Sequence, residues 1–551
     1  MTRATTPSAM PSAARSGVSA TAPGTGSAAS AAAVPAGRLG AGAGLPWIAV
    51  RIAVATAGGV GLGLSFPPIG WVLLLPSAVL LLSALTRHQS WRLGAACGFG
   101  FGLAFMLVLL PWMRVVGTDA WIALGVVEAM FYAGLGAALA LVSRLPRWPL
   151  WTACCWVAVE LARSSVPFGG FGWGRLGFGL DQTSVAAWAR YLGAPAVTGI
   201  VVGAAALVLW ALTDAHRARA RAGAVMLVGL LLTAGWWLPL GVAGPGVTGA
   251  VAGADQVVVA AVQGGVPGSG LNPFAGEPRV VLDNHVRATH ELAERVARGE
   301  VEVPDLVFWP ENSSDIDPYD DADAASSISS AVDAVGVPTL VGSLVEDDAG
   351  LRNMGIVWQP RTGPGETYTK RHLVPFGEYI PLRSTLEPLI GRLSMIPRDL
   401  VAGTEPGVLR MGDVVVGAVT CFEVSYGDAV RDVTAAGAQL LVVQTNNATY
   451  LDTGQLEQQW AISRLRAIES GRSVVVAATS GISGVVLPDG STLAQTTSAE
   501  PAVLVQRVPL ASGQTPGLLL GGWVELAAAV AAAAAVGWAA VVGRRRPVRR
   551  G

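Results

Sequence analysis

Apolar residues follow two different rhythms along this chain. From residue 46 to 243, and again over 519–543, they form long runs with few charges. Between them, from 250 to 515, they come in short β-branched stretches separated by acids, turns and helical patterns. A run of about 20 apolar residues is what a helix needs to cross a bilayer. Eight such spans are read near 46–66, 69–86, 92–112, 119–143, 148–163, 186–212, 222–243 and 519–543, the fifth being short. The segment between spans seven and eight reads as strands at Gln256–Val262, Asp305–Trp309, Pro338–Leu344, Gly355–Gln359, Asp413–Thr420, Leu440–Gln444, Ser473–Ala478, Gly484–Leu487 and Ala502–Val508. Helical patterns at Arg279–Ala297, Ala324–Val335, Tyr426–Ala436 and Gln455–Ser470 interrupt them. That alternation predicts an α/β domain. Residues 1–45 are Ala, Ser, Gly, Thr and Pro with three arginines and no acid; such a stretch cannot build a core and is expected to be disordered. The expected organisation is therefore a tail (1–45), a membrane region of about seven helices (46–243), a soluble domain (250–515), a last transmembrane helix (519–543) and a basic tail (544–551).

Composition sharpens this picture. The chain is 52% hydrophobic and 14% charged, against about 25% charged for soluble domains. Its mean hydropathy is +0.50. A net charge of −1 gives no footprint for nucleic acid. The arginines are unevenly placed: Arg87 and Arg92 lie between spans two and three, Arg144 and Arg147 between four and five, Arg217, Arg219 and Arg221 between six and seven, and Arg544, Arg545, Arg546, Arg549 and Arg550 in the tail. The positive-inside rule then puts both termini in the cytoplasm and the soluble domain on the outer face. Glu128 and Glu160 fall inside spans, where acids are costly and are paired or functional. Arg163, three residues beyond Glu160, has the spacing of a helical pair. The Gly- and aromatic-rich connection Ser164–Gln182 reads either as a belt at headgroup level or as an inert link.

The chemistry-bearing candidates are few. Lys370, in TYTKRHLVPFGEYIP, is the only lysine of the chain. Of the four cysteines, Cys97, Cys154 and Cys155 sit in spans, and Cys421 alone is in the soluble domain, which excludes a disulfide within it. No CxxC or His/Cys cluster suggests a metal, and no cofactor is expected. Glu311 follows the strand LVFWP and Cys421 the strand VVGAVT, the strand-end positions where ligands bind in open α/β sheets. A carboxylate, an ammonium and a thiol make an acyl-transfer set: the carboxylate takes the thiol proton, the thiolate attacks a carbonyl, and the ammonium with a backbone N–H near Phe422 stabilises the oxyanion. Singly, each residue reads equally well as core or cap.

WPEN, YTKRHLVPFGEYIP and CFEVSYGD, in that order, resemble the nitrilase superfamily with its Glu–Lys–Cys triad. With spans on either side of the domain, residues 46–543 resemble the bacterial apolipoprotein N-acyltransferases. The resemblance implies an αββα sandwich on the outer face of the plasma membrane. It implies transfer of an acyl chain from a phospholipid donor to the α-amino group of the S-diacylglyceryl-cysteine that begins a lipoprotein, through a thioester on the enzyme. It makes Glu311 the general base, Lys370 the oxyanion stabiliser and Cys421 the nucleophile, with supporting roles for Glu378 and Glu423. Phe422 stands where the family often has Tyr. After the first strand the family's QGN and following Trp are replaced by Gln263-Gly264-Gly265 and Asn272-Pro273-Phe274, so that Phe274 takes the place of a substrate-contacting Trp. NNATY (446–450), Trp460 and Arg464 resemble substrate-side loops of the family. Leu386, Leu389, Ile390, Leu393 and Ile396 follow the lysine motif at near-helical spacing. They are read as a lid that dips into the membrane interface, with Leu389 and Leu393 touching lipid, or else as part of the domain's own core. Lipid substrates require a site that opens sideways to the bilayer. A membrane-tethered nitrilase-like amidase would use the same triad but leaves eight spans without a purpose. A non-catalytic membrane anchor for a partner glycosyltransferase leaves the triad without one.

Overall fold

The computed structural model describes residues 44–238, 255–268, 270, 279–497 and 500–545. The expected tail up to residue 43, Phe274, and the arginine-rich end from residue 546 lie outside the described residues. Among the described residues, nine α-helices precede the first strand: α1 (Gly44–Leu64), α2 (Leu74–Thr86), α3 (Trp91–Leu109), α4 (Thr118–Val142), α5 (Trp148–Arg163), α6 (Trp188–Leu192), α7 (Ala194–Thr213), α8 (Ala218–Leu232) and α9 (Ala234–Trp237). Among the described residues, five helices are long and apolar enough to cross a membrane: those over Pro46–Leu64, Trp91–Leu109, Thr118–Val142, Ala194–Thr213 and Pro516–Val542. The chain is membrane-embedded. The span read over 186–212 is broken, because Gly193 takes a φ of +83° that stops α6 and Pro195 opens α7 in its first turn.

Close packing of α3 on α4 has a visible cause. Gly94, Gly98 and Gly102 form a small-residue stripe at four-residue spacing; a Cβ on Gly98 would lie 2.0 Å from the Tyr132 carbonyl oxygen. Without a hydrophobic drive between helices in lipid, such close backbone approach supplies the contact energy. The buried charges of this region pair differently from their spacing. Arg163 does not pair with Glu160 along α5; its Nε donates to Glu128 of α4 at 2.7 Å. Glu160 instead accepts the Leu176 N–H at 2.8 Å and the Thr198 hydroxyl at 2.9 Å. Both side chains point off the helix into neighbours that need them. The three arginine-bearing connections meet at one end of the bundle: Arg87 pairs with Asp214, Trp148 donates to Asp214 at 3.0 Å, and Arg144 donates to the Gln89 carbonyl at 2.6 Å.

The second part runs β1 (Gln256–Gln263), α10 (Val280–Ala297), β2 (Leu306–Phe308), α11 (Ala322–Val335), β3 (Thr339–Asp347), β4 (Gly350–Gln359), β5 (Gly363–Thr369), α12 (Arg383–Leu386), β6 (Val408–Met411), β7 (Val414–Thr420), α13 (Gly427–Ala435), β8 (Leu440–Thr445), α14 (Gln455–Ser470), β9 (Val474–Ala478), β10 (Gly484–Val486), β11 (Thr492–Gln495) and β12 (Ala502–Pro509), and ends in α15 (Pro516–Arg545). Among the described residues the strands make two six-stranded sheets, ordered β12-β1-β2-β3-β4-β5 and β11-β10-β9-β8-β7-β6. Each has a parallel centre, β1-β2-β3 in one and β7-β8-β9 in the other. Strand alternation sends Val257, Val259 and Ala261 of β1 into the core between the sheets and Ala260 and Val262 onto α10 and α11. On the outer face of the second sheet, Val430 and Val433 of α13 and Leu465 and Ile468 of α14 pack on Val443 and Val476. The result is an αββα sandwich. The same outer cluster continues into Phe178, Leu180 and Val197 of the membrane region, so α14 is buried apart from exposed Glu457 and half-buried Arg464.

Candidate active site

Three strand ends converge. Glu311 follows β2, Lys370 follows β5 and Cys421 follows β7. Glu311 and Lys370 are buried, at 4% and 1% exposure. Lys370 Nζ lies 3.0 Å from Glu311 Oε1 and 2.9 Å from Glu378 Oε1. Asn353, in the middle of β4, donates its side-chain amide to the same two carboxylates, at 2.7 Å to Glu311 and 3.0 Å to Glu378. The second oxygen of Glu311 accepts the Asn446 backbone N–H at 2.9 Å, and that of Glu378 accepts the Val374 N–H at 2.8 Å. Burial works against the Lys370 ammonium, but Glu311 and Glu378 outweigh it and hold its pKa well above the ordinary lysine value. Lys370 is therefore a fixed cation between two carboxylates.

The backbone is shaped to place these groups. A Cβ on Gly342 of β3 would lie 2.2 Å from the Pro310 carbonyl oxygen and 2.8 Å from Glu311 Cα, so glycine there lets the Glu311 turn lie flat on the sheet. Cys421 has a φ of +54°, a left-handed conformation that strains a non-glycine residue and recurs at functional turns. A short 3₁₀ turn, Cys421–Ser425, follows it and is closed by a capping box between Thr420 and Glu423. Glu423 is fully buried and accepts the Tyr368 hydroxyl at 2.8 Å, the Arg371 and His372 N–H groups at 2.8 and 2.9 Å, and the Thr420 N–H at 2.8 Å. This carboxylate thus ties the segment carrying Lys370 to the turn carrying Cys421, a structural clamp at the centre of the site.

The thiol itself is neutral. Burial, and then the nearby Glu311 charge, push Cys421 up to about 12, against the opposing pull of Lys370. The Thr445 hydroxyl donates to Cys421 Sγ at 3.2 Å and accepts from Gln459 Nε2 at 3.0 Å. Chemically, a neutral thiol beside a carboxylate can pass its proton to that carboxylate as it attacks a carbonyl, without a preformed thiolate.

Phe422 is buried and stacks on Phe171 (5.7 Å, 23°) and Trp173 (5.8 Å, 8°), both from the connection between α5 and α6. That connection is not an inert link over these residues, for it roofs the turn that carries Cys421. The segment 386–396 is not one helix: α12 ends at Leu386 and a 3₁₀ turn covers Gly391–Met395. Its Leu389 is 76% exposed and Ile390 41% exposed, Leu393 is half-buried, and Arg392 donates to the Val116 carbonyl at 2.8 Å and pairs with Asp119. It does not pack as core. Trp460 is buried, and Arg464 pairs with Asp181 at 3.2 Å. Sequence reasoning overlooked Asn353, Thr445, Trp112 and Trp173; a lone Asn inside a strand and tryptophans in short connections were the available signals.

An αββα carbon–nitrogen hydrolase domain set on a helical membrane region defines the class. A family model described as apolipoprotein N-acyltransferase N-terminal domain matches residues 58–207, and one described as carbon-nitrogen hydrolase matches residues 259–515. The chain is 40% identical over 497 residues to the apolipoprotein N-acyltransferase of Mycolicibacterium smegmatis, covering 86% of this chain and 82% of that protein. It is 28% identical over 511 residues to the apolipoprotein N-acyltransferase of Gloeobacter violaceus, covering 88% and 93%. Among solved structures it is similar to an amidase from Nesterenkonia sp., with 19% identity, coverage of 49% of this chain and 94% of that one, and a TM-score of 0.34. The chain belongs to the apolipoprotein N-acyltransferase family.

Proposed function

We propose that the protein moves an acyl chain from a membrane phospholipid to the α-amino group of an N-terminal S-diacylglyceryl-cysteine, by two half-reactions through Cys421. In the first, Glu311 takes the Cys421 proton as sulfur attacks the phospholipid ester carbonyl. Lys370 and the backbone N–H of Phe422 face the developing oxyanion. The C–O bond breaks, the lysophospholipid alkoxide regains the proton from Glu311, and a thioester remains. In the second, the lipoprotein amine attacks the thioester, the C–S bond breaks, and the amine proton returns through Glu311 to sulfur. Glu378 and Asn353 hold Lys370 and Glu311 in register, Glu423 holds the turn, and Leu389 and Leu393 belong to the lipid-facing arm.

The observation that carries this reading is the pairing of Glu311 with Lys370 at 3.0 Å at strand ends shared with Cys421, beneath rings supplied by the membrane region. A soluble amidase has no need of that roof. The rim supports a lipid substrate, since Phe168, Phe376, Leu382 and Leu389 are exposed around the arm. The meeting of the arginine-bearing connections at one end of the bundle supports a cytoplasmic placement of that end. The connections that touch the sandwich come from elsewhere in the chain, which supports an outer-face catalytic domain in the plasma membrane. Purified protein in phospholipid vesicles with a synthetic S-diacylglyceryl-cysteine peptide tests the reading. N-acylated peptide and lysophospholipid in equal amounts are expected, both absent with Cys421→Ala. Peptide acylation that survives Cys421→Ala would overturn it.

A further inference from the structure

Trp112 and Trp173 come from two separate connections of the membrane region, yet both indole N–H groups donate to one atom. That atom is Oε1 of Gln458 on α14, at 3.0 and 2.7 Å. Gln458 Nε2 donates in turn to the Leu109 carbonyl at 2.9 Å and the Pro67 carbonyl at 3.1 Å. One side-chain amide therefore has both acceptor sites and both N–H groups used. Turning it over would set donors against donors and oxygens against oxygens, so its orientation is fixed. Trp173 is held a second time through its carbonyl, which accepts from Arg163, the partner of Glu128.

The two rings cover the reacting region. Trp173 lies parallel to Phe422, the residue after the nucleophile. Trp112 sets its edge on Tyr450 at 5.2 Å, and Tyr450 shares the electrostatic surroundings of Cys421, Glu378 and Lys370. Both tryptophans are buried, at 6% and 2% exposure. A thioester in such a site has two fates, attack by the amine or attack by water, and exclusion of water decides between them.

We propose that Gln458 is a positioning residue that locks Trp112 and Trp173 into a dry wall and thereby directs the acyl-enzyme to the amine rather than to water. This rests on the acyl-transfer reading above. Without the amide, two indole N–H groups and two carbonyls are left unpaired in the wall, and such groups recruit water. The side reaction then balances simply: water oxygen bonds to the acyl carbon, the C–S bond breaks, a free fatty acid leaves and the thiol regains its proton.

The test uses the full-length protein in vesicles of phosphatidylethanolamine and phosphatidylglycerol carrying a labelled acyl chain, with a synthetic S-diacylglyceryl-cysteine peptide as acceptor. The readout is the ratio of free fatty acid to N-acylated peptide. Gln458→Leu is expected to raise that ratio about tenfold, and Trp173→Phe, which keeps a ring but removes one N–H, to raise it less. A merely structural role slows both products together and leaves the ratio unchanged, which would overturn the proposal. If Gln458→Leu does not fold, the ratio for Trp173→Phe decides alone. Wild type that releases no lysophospholipid sinks the acyl-transfer reading and this inference with it. Active wild type with a constant ratio across the variants sinks this inference only.

Discussion

Replacing Lys370 by Met probes the charge balance at the heart of the site. Its Nζ sits 3.0 Å from Glu311 and 2.9 Å from Glu378, with side-chain exposure of 2%. At an effective dielectric of about 20, each such contact attracts by roughly 5 kcal/mol before the ammonium's desolvation is charged against it. The net loss on deleting one member of a buried ion pair is about 3–5 kcal/mol. Lys370→Met keeps the side-chain length but leaves two carboxylates sharing only the Asn353 amide. Two like charges so close cannot both stay ionised, so one carboxyl pKa in the variant must rise. A carboxyl with a raised folded pKa binds more protons folded than unfolded. The deficit is therefore largest above that pKa and shrinks as pH falls. Lys370→Met/Glu378→Gln removes the second charge; its amide oxygen replaces only one of the two carboxylate oxygens that accept from Asn353 and Val374, so the double variant should regain only ~1 kcal/mol of the loss. Thermal unfolding of the detergent-solubilised protein between pH 5 and 8 reads all three effects. A Lys370→Met variant as stable as wild type, a deficit that grows toward low pH, or a double variant weaker than the single one would refute the reasoning.

Three further outcomes are expected. Gly342→Ala forces the Pro310–Glu311 backbone off the sheet; misplacement by ~1 Å should cost about a hundredfold in kcat with the protein still folded, and a loss of less than threefold in lysophospholipid release would contradict it. His285 is buried, accepts the Gly264 N–H at 3.1 Å, and is pushed by burial to about 4. Its folded pKa lies below the unfolded value, so its contribution is intact above pH 6.5 and fades as pH falls toward 4, by ~2 kcal/mol at pH 5. His285→Gln should flatten that limb of the stability curve, and parallel curves for the two proteins would exclude the assignment. Leu389→Ser/Leu393→Ser, on the exposed arm, should slow phospholipid turnover in vesicles while sparing Tm; unchanged turnover would remove the arm from lipid capture.

The sequence was most informative where burial imposes a pattern. The central strands β1, β2, β7, β8 and β9 are β-branched because they are covered on both faces. The strands that escaped notice, β6 and β11, are sheet edges, and β5, also an edge, shows only as a short extended stretch because GPGETYT faces solvent. Glu311, Lys370 and Cys421 stood out by type and by position after strands. Asn353 did not, since its role depends on β4 lying beside both carboxylates, a contact between distant parts of the chain. Gln458 was equally silent: α14 is buried apart from exposed Glu457 and half-buried Arg464, so no amphipathic pattern separates the side that meets Trp112 and Trp173 from the side that meets the sheet. The pairing of Arg163 with Glu128 rather than Glu160 shows why spacing alone misassigns buried charges.

The most direct test of a thioester on Cys421 is the intact mass of the purified protein after incubation with phospholipid and no acceptor, beside Cys421→Ala and Lys370→Arg. Wild type should gain the mass of one acyl chain, lost on adding the acceptor peptide; Cys421→Ala should gain none, and Lys370→Arg little, because a planar guanidinium does not fit between two carboxylates 3.0 and 2.9 Å from a compact ammonium. An acyl adduct that persists in Cys421→Ala, or N-acylated peptide formed by a wild type that never carries an adduct, would contradict transfer through this cysteine.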